Sequence, residues 1–145
     1  MKHRKYLLIS LICLFAIFSV CFLFRNTKPF VLRYIRRNHI ELEIFVENVI
    51  ENGSYNTTTT YNGWKVSYWS ENNMVEFLVR SQGLVPSSTY EGFYYSPEDR
   101  PIGFEGTDLE FIKDRNGWRY EESDGDNSEY TERVIGKWYW FKMSF

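Results

Sequence analysis

The sequence predicts an α+β chain, with an N-terminal transmembrane helix and a juxtamembrane amphipathic helix followed by a mostly antiparallel β-sheet domain. Three observations carry that expectation. Nineteen consecutive residues, Tyr6 to Phe24, bear no charge. Apolar residues recur at helical spacing between Tyr34 and Ile50, and from Trp64 onward short runs alternate apolar and polar residues between turn signals. The chain divides accordingly into a basic tail (1–5), the apolar segment (6–24), a basic junction with the amphipathic helix (25–52) and a β-rich domain (53–145).

A helix over 6–24, at about 1.5 Å per residue, nearly matches a hydrocarbon core about 30 Å thick, so the segment reads as a membrane anchor. Lys2, Arg4 and Lys5 would also suit a cleaved secretion signal. An uncleaved signal anchor fits better, because Phe22-Leu23-Phe24-Arg25-Asn26 offers no small-x-small cleavage site and Cys21 follows bulky Val20. The positive-inside count sets Lys2, Arg4 and Lys5 against Arg25, Lys28, Arg33, Arg36 and Arg37, which alone favours a cytoplasmic domain. A short, charged tail is hard to translocate, however. The expected placement is therefore single-pass in the plasma membrane with the C-terminal domain extracytoplasmic. The five basic residues after the segment form a collar for anionic headgroups, each contributing about 1 kcal/mol near the surface. The lipid bilayer is the first expected partner.

In the amphipathic helix, Tyr34, Ile35, Leu42, Phe45, Val46, Val49 and Ile50 share one face, while Arg36, Glu41, Glu43, Glu47 and Glu51 occupy the other. Asn52-Gly53 supplies a stop. The apolar face is expected to pack on the sheet, and the basic first half also suits a headgroup layer.

The residues from Gly53 to Thr60 read as a loop. Trp64 to Trp69 and Val75 to Arg80 then form a hairpin about Glu71-Asn72-Asn73, and Tyr90 to Tyr95 reads as a short strand. Ser96-Pro97-Glu98-Asp99 has the hydroxyl, proline and carboxylate of a helix-opening turn, which Arg100-Pro101 stops. Leu109 to Lys113 and Trp118 to Glu122 pair about Asn116-Gly117, Ser123 to Ser128 is a loop, and Tyr130 to Ile135 pairs with Lys137 to Phe145 about Gly136. About five to seven strands follow from that spacing of turn signals. On the last strand Tyr139, Phe141, Met143 and Phe145 are assigned to the core. Trp138, Trp140 and Lys142 face the other way, so the two tryptophans mark a second buried face or an exposed aromatic strip. Asn62-Gly63-Trp64-Lys65 and Asn116-Gly117-Trp118-Arg119 read as two Asn-Gly turns opening strands rather than as a duplication.

Chemistry is constrained more by what is missing from the composition than by any motif. Residues 53–145 hold nine basic and fifteen acidic side chains, the wrong sign for a nucleic-acid footprint. Both cysteines, Cys13 and Cys21, lie in the apolar segment, and the histidines are His3 and His39. The sheet domain therefore lacks the parts for a Ser-His-Asp or Cys-His nucleophile and for a histidine or cysteine metal site. No catalytic residue, metal or cofactor is assigned. Glu76, Glu91, Asp99, Glu105, Glu121 and Glu122 are the acids from which a carboxylate pair would be drawn, but no spacing rule selects two of them. Asp124-Gly125-Asp126-Asn127-Ser128-Glu129 is rich in oxygen ligands, yet its glycine comes second rather than sixth, so an ordinary turn explains it better than a calcium loop. Rings are denser than a small core needs, and Tyr94, Tyr95, Trp138 and Trp140 are the candidate binding surface.

Gly92-Phe93-Tyr94-Tyr95-Ser96-Pro97-Glu98-Asp99 and the closing Trp138-Tyr139-Trp140-Phe141 resemble small, uncharacterised, membrane-anchored proteins of Gram-positive bacteria over about residues 60 to 145. The resemblance implies a bacterial envelope location and carries no site residue. The expected function is non-catalytic binding, with a protein at the envelope as partner and an immunity-like or envelope-accessory role. Two rivals stand beside it: cell-wall glycan binding through exposed aromatics, and a small hydrolase using paired carboxylates.

Overall fold

A computed structural model describes residues 6, 10–13, 24–53, 58–84 and 87–145. It has one long helix, α1 (Lys28–Asn52), and eight strands: β1 (Thr58–Tyr61), β2 (Trp64–Trp69), β3 (Met74–Leu84), β4 (Ser87–Tyr95), β5 (Ile112–Asp114), β6 (Gly117–Glu121), β7 (Ser128–Ile135) and β8 (Trp138–Ser144). All pairings are antiparallel, in the order β1-β2-β3-β4-β8-β7-β6-β5. Two four-strand meanders thus meet where β4 pairs with β8. The chain reaches the far edge by a strap, residues 96–111, that includes a 3-10 turn at Phe104–Gly106.

The central strands are buried on both sides. On one face, Val31, Ile35, Leu42 and Val46 of α1 pack with Trp64, Val66, Phe77, Phe93, Trp138 and Trp140, and Phe77 stacks on Phe93 at 4.5 Å. On the other, Met74, Tyr94, Tyr139, Phe141 and Met143 lie under Ile102 and Phe104 of the strap. The alternation that separates Tyr139 from Trp138 is observed, and Tyr139, Phe141 and Met143 are core as well as Trp138 and Trp140, but Phe145, also expected in the core, is exposed just past the end of β8. For Trp138 and Trp140, the second-buried-face reading of the last strand is the one observed.

The transmembrane helix is corrected. Among the described residues no helix is long and apolar enough to cross a membrane. The 25 residues of α1 have the length, but Lys28, Arg33, Arg36, Arg37, Glu41, Glu43, Glu47 and Glu51 would all have to be desolvated. Of the segment 6–24, only Tyr6, Ser10–Cys13 and Phe24 are described, and its remainder lies outside the described residues. A signal anchor, a single-pass placement in the plasma membrane and a bilayer partner are therefore not supported. The basic collar is also otherwise engaged in part. Lys28 lies 3.9 Å over the Trp140 ring and pairs with Glu132 at 3.0 Å, and Arg25 bonds Asn62 and sits over Trp64.

Smaller departures have local causes. Thr58 to Thr60, expected in a loop, belong with Tyr61 to the edge strand β1, where β-branched threonines are favoured. It turns into β2 through Asn62-Gly63, both at positive φ, as a two-residue hairpin demands. At the second Asn-Gly the loop is instead Arg115-Asn116, and Gly117 is already paired with Asp114. Its glycine answers a different need: a Cβ there would lie 2.8 Å from the Tyr130 ring carbon that bears the hydroxyl. Ser96 to Asp99 makes its turn, with Asp99 N–H on Ser96 O at 3.0 Å, but Asp99 at φ 54° ends it and no helix follows. Leu109 is drawn out of β5 to cover Gly103, so that strand starts at Ile112.

Leu42 is wholly buried at the centre of the helix–sheet contact. Leu42→Ala is expected to lower the unfolding free energy by about 2–5 kcal/mol, read from denaturant titration.

Candidate functional site

Two glutamates are buried under the strap. Glu76 on β3 is 4% exposed and Glu129 on β7 is 1% exposed. They hold adjacent backbone donors of the same turn: Phe104 N–H donates to Glu129 Oε2 at 2.9 Å, and Glu105 N–H to Glu76 Oε2 at 3.0 Å. A third sheet residue secures the strap upstream. Ile102 N–H donates to the Tyr94 hydroxyl, which bonds the Thr131 hydroxyl, which in turn donates to the Trp140 carbonyl. A fourth contact lies near the start, where the Tyr139 hydroxyl and the Arg133 guanidinium both reach Asp99 Oδ1 at 3.0 Å. The turn so held is tight, with Glu105 at φ 57°.

Burial raises both carboxyls. Glu76 is pushed up to about 8, chiefly by desolvation and further by the charges of Glu105 and Glu129, against the lowering effect of the Glu105 N–H and Lys65. Desolvation pushes Glu129 up to about 7, opposed by the Phe104 N–H. Burial raises the Tyr94 hydroxyl as well, which keeps it neutral and able to donate. At neutral pH Glu76 is predominantly a neutral acid, able to donate one hydrogen bond while accepting another.

Beside Glu76 the sheet opens into a cleft of about 350 Å³, lined by Thr58, Lys65, Ser67, Trp69, Glu76, Leu78, Tyr90, Phe104 and Glu105. Alternation along β1, β2 and β3 brings Thr58, Lys65, Ser67, Trp69, Glu76 and Leu78 onto one face. Tyr90 and Phe104 stack at 5.0 Å to form one wall. Trp69 is only partly buried, yet its Nε1 is shielded and has no hydrogen-bond partner among the described residues. Glu129 Oε1 is in the same condition.

No family model, curated protein or solved structure matches the chain. The resemblance carried by Gly92 to Asp99 and Trp138 to Phe141 has no counterpart among them, and the site rests on its own geometry.

The residues expected to form an aromatic surface are not on the surface. Tyr94, Tyr95, Trp138 and Trp140 are 1%, 8%, 0% and 5% exposed. Trp138 and Tyr95 lie under α1, Trp140 is covered by Lys28, and Tyr94 stacks on Tyr139 at 5.2 Å beneath the strap. Of the six acids singled out in the sequence, Glu76 and Glu105 meet at the cleft. Glu91 is bracketed by Arg80 and Lys142, Asp99 is engaged with Arg133, Glu121 pairs with Arg119, and Glu122 lies exposed. Among the described residues no group of three or more His, Cys, Asp and Glu could hold a metal ion.

In the sequence Glu129 closes the oxygen-rich turn that opens at Asp124. Its alternation with Tyr130 carried the needed signal, because Glu129, Thr131 and Arg133 share the face of Tyr139 and Phe141 across the pair. Trp69, Tyr90 and Phe104 gave no signal, since only the strap brings them together.

Both buried acids bind their proton more tightly folded than unfolded, so the folded chain holds extra protons between about pH 4.5 and pH 8. Stability falls as pH rises through that window. Glu76→Gln and Glu129→Gln stay neutral and still accept the strap's N–H. Each is expected to remove roughly a few kcal/mol of the loss between about pH 5 and pH 9, measured by urea unfolding. Equal pH slopes in the wild type and both variants would contradict the assignment.

Proposed function

We propose that the protein is a non-catalytic binding module whose contact site is the cleft beside Glu76, and that its ligand is a flat ring bearing hydroxyl groups, such as a sugar residue. The observation that carries this reading is the pairing of half-buried rings with a neutral buried acid in one cavity of about 350 Å³, near the lower end of the range for small-molecule pockets. Trp69 and the Tyr90–Phe104 wall present apolar faces on which a ring can lie. Ser67, Lys65 and Glu76 supply donors and acceptors. The supports are geometric, and they favour a single ring held in a cleft over a flat platform for a long glycan, because the four rings once available for a platform are core.

The hydrolase reading draws on one specific feature, the protonated Glu76 near the exposed Glu105. Against it stands the want of a suitable second carboxylate: the other acid lining the cleft is Glu105, which is exposed, and the buried Glu129 does not line it.

The test is a titration of the full chain with glucose- and N-acetylglucosamine-type oligosaccharides, following the Trp69 indole N–H by NMR. Binding is expected to move that resonance, and Trp69→Ala is expected to weaken it about tenfold or more. No new reducing ends should form. An unmoved Trp69 signal across the series would sink the reading, and sugar release abolished by Glu76→Gln would replace it with the hydrolase.

A further inference from the structure

The outer face of α1 carries a pattern that the packing of the domain leaves unused. Arg33, Arg37, Ile40, Ile44, Glu47 and Glu51 follow one another at spacings of 4, 3, 4, 3 and 4, and all six are exposed. That alternation of four and three is the spacing of a two-helix seam. At its centre Ile40 and Ile44 are 67% and 66% exposed, although the same helix buries Leu42 and Val46 completely on its inner side. None of the four charged residues of the seam takes part in an ion pair among the described residues.

The order of these residues decides what fits them. Reading from the N-terminal end gives two arginines, two isoleucines and two glutamates, and the spacings are the same in either direction. A two-fold axis level with Leu42 therefore sets Ile40 against Ile44 of a second copy, Arg37 against Glu47 and Arg33 against Glu51, along roughly 27 Å of helix. A parallel copy would instead oppose like charges at both ends. Antiparallel alignment also sets opposite helix termini side by side, which the macrodipole favours.

We propose that α1 is a homodimerisation element, and that its outer seam pairs antiparallel with the same seam of a second copy. The occupant is another molecule of this chain because the seam is complementary to itself in charge and spacing. The cleft beside Glu76 lies on the opposite face of the sheet from α1, so the two proposals stand or fall separately.

Sedimentation velocity on the full chain at low ionic strength tests it, with circular dichroism confirming the fold of each variant. A reversible dimer is expected at up to about 200 µM, and salt should weaken it because exposed charges contribute. Arg37→Glu and Glu47→Arg, each alone, place like charges together and should weaken association about tenfold or more. Mixing the two variants restores opposite charges at both contacts and should restore a dimer. Ile40→Ser should also abolish it. A wild-type chain that stays monomeric at that concentration overturns the proposal. So does a dimer indifferent to all three substitutions, or a mixture of the two folded charge variants that does not associate.

Discussion

A sheet whose central strands are apolar on both faces must be covered twice. β4 and β8 meet at the middle of the order and bury large side chains to either side, Phe93, Tyr95, Trp138 and Trp140 one way and Tyr94, Tyr139, Phe141 and Met143 the other. Rings of this size bury roughly 150–250 Å² each, so neither face can be left to water. One helix covers one face and an irregular strap covers the other. Every later feature follows from how differently those two covers are held.

The helix is held by its side chains, because all of its inner backbone groups are satisfied within it. The strap has no such continuous ladder: a few turn bonds, such as Gly103 N–H to Thr107 O, close within it, and the N–H groups of Ile102, Phe104 and Glu105 are met by the sheet. Buried acceptors therefore had to be placed among the rings, and Glu76, Glu129 and Tyr94 are where they stand, while the strap's own Asp99 accepts from Tyr139 and Arg133 of the sheet. A buried carboxyl is tolerated there because it can remain protonated and because each accepts a main-chain N–H. The same arrangement leaves a cleft where the tight turn of the strap does not fill the space beside Glu76, walled by the rings the sheet turns outward. Site and cover are one construction.

The helix is burdened in the opposite sense. Its inner stripe is used up in covering the sheet, while its outer stripe keeps two isoleucines in water between blocks of opposite charge.

The sequence by itself determined the amphipathic helix, the β2–β3 hairpin, the closing β7–β8 pair and the two-faced alternation of the last strand, because each is written in local periodicity and turn chemistry. It also placed Glu76 and Glu105 among the acids worth watching, though without a reason to choose them. Only the tertiary structure decided that Thr58 to Tyr61 is a strand, since an edge strand exists by virtue of its neighbour. Only it decided that Tyr94, Tyr95, Trp138 and Trp140 lie inside, because the density of rings along a chain does not say how many faces will be covered. Glu129 and the cleft were hidden for the same reason: a buried carboxyl and a ring wall are made by segments as far apart as Phe104 and Tyr90 or Glu129, and their meeting depends on where the strap crosses the sheet, a long-range choice that no local pattern encodes.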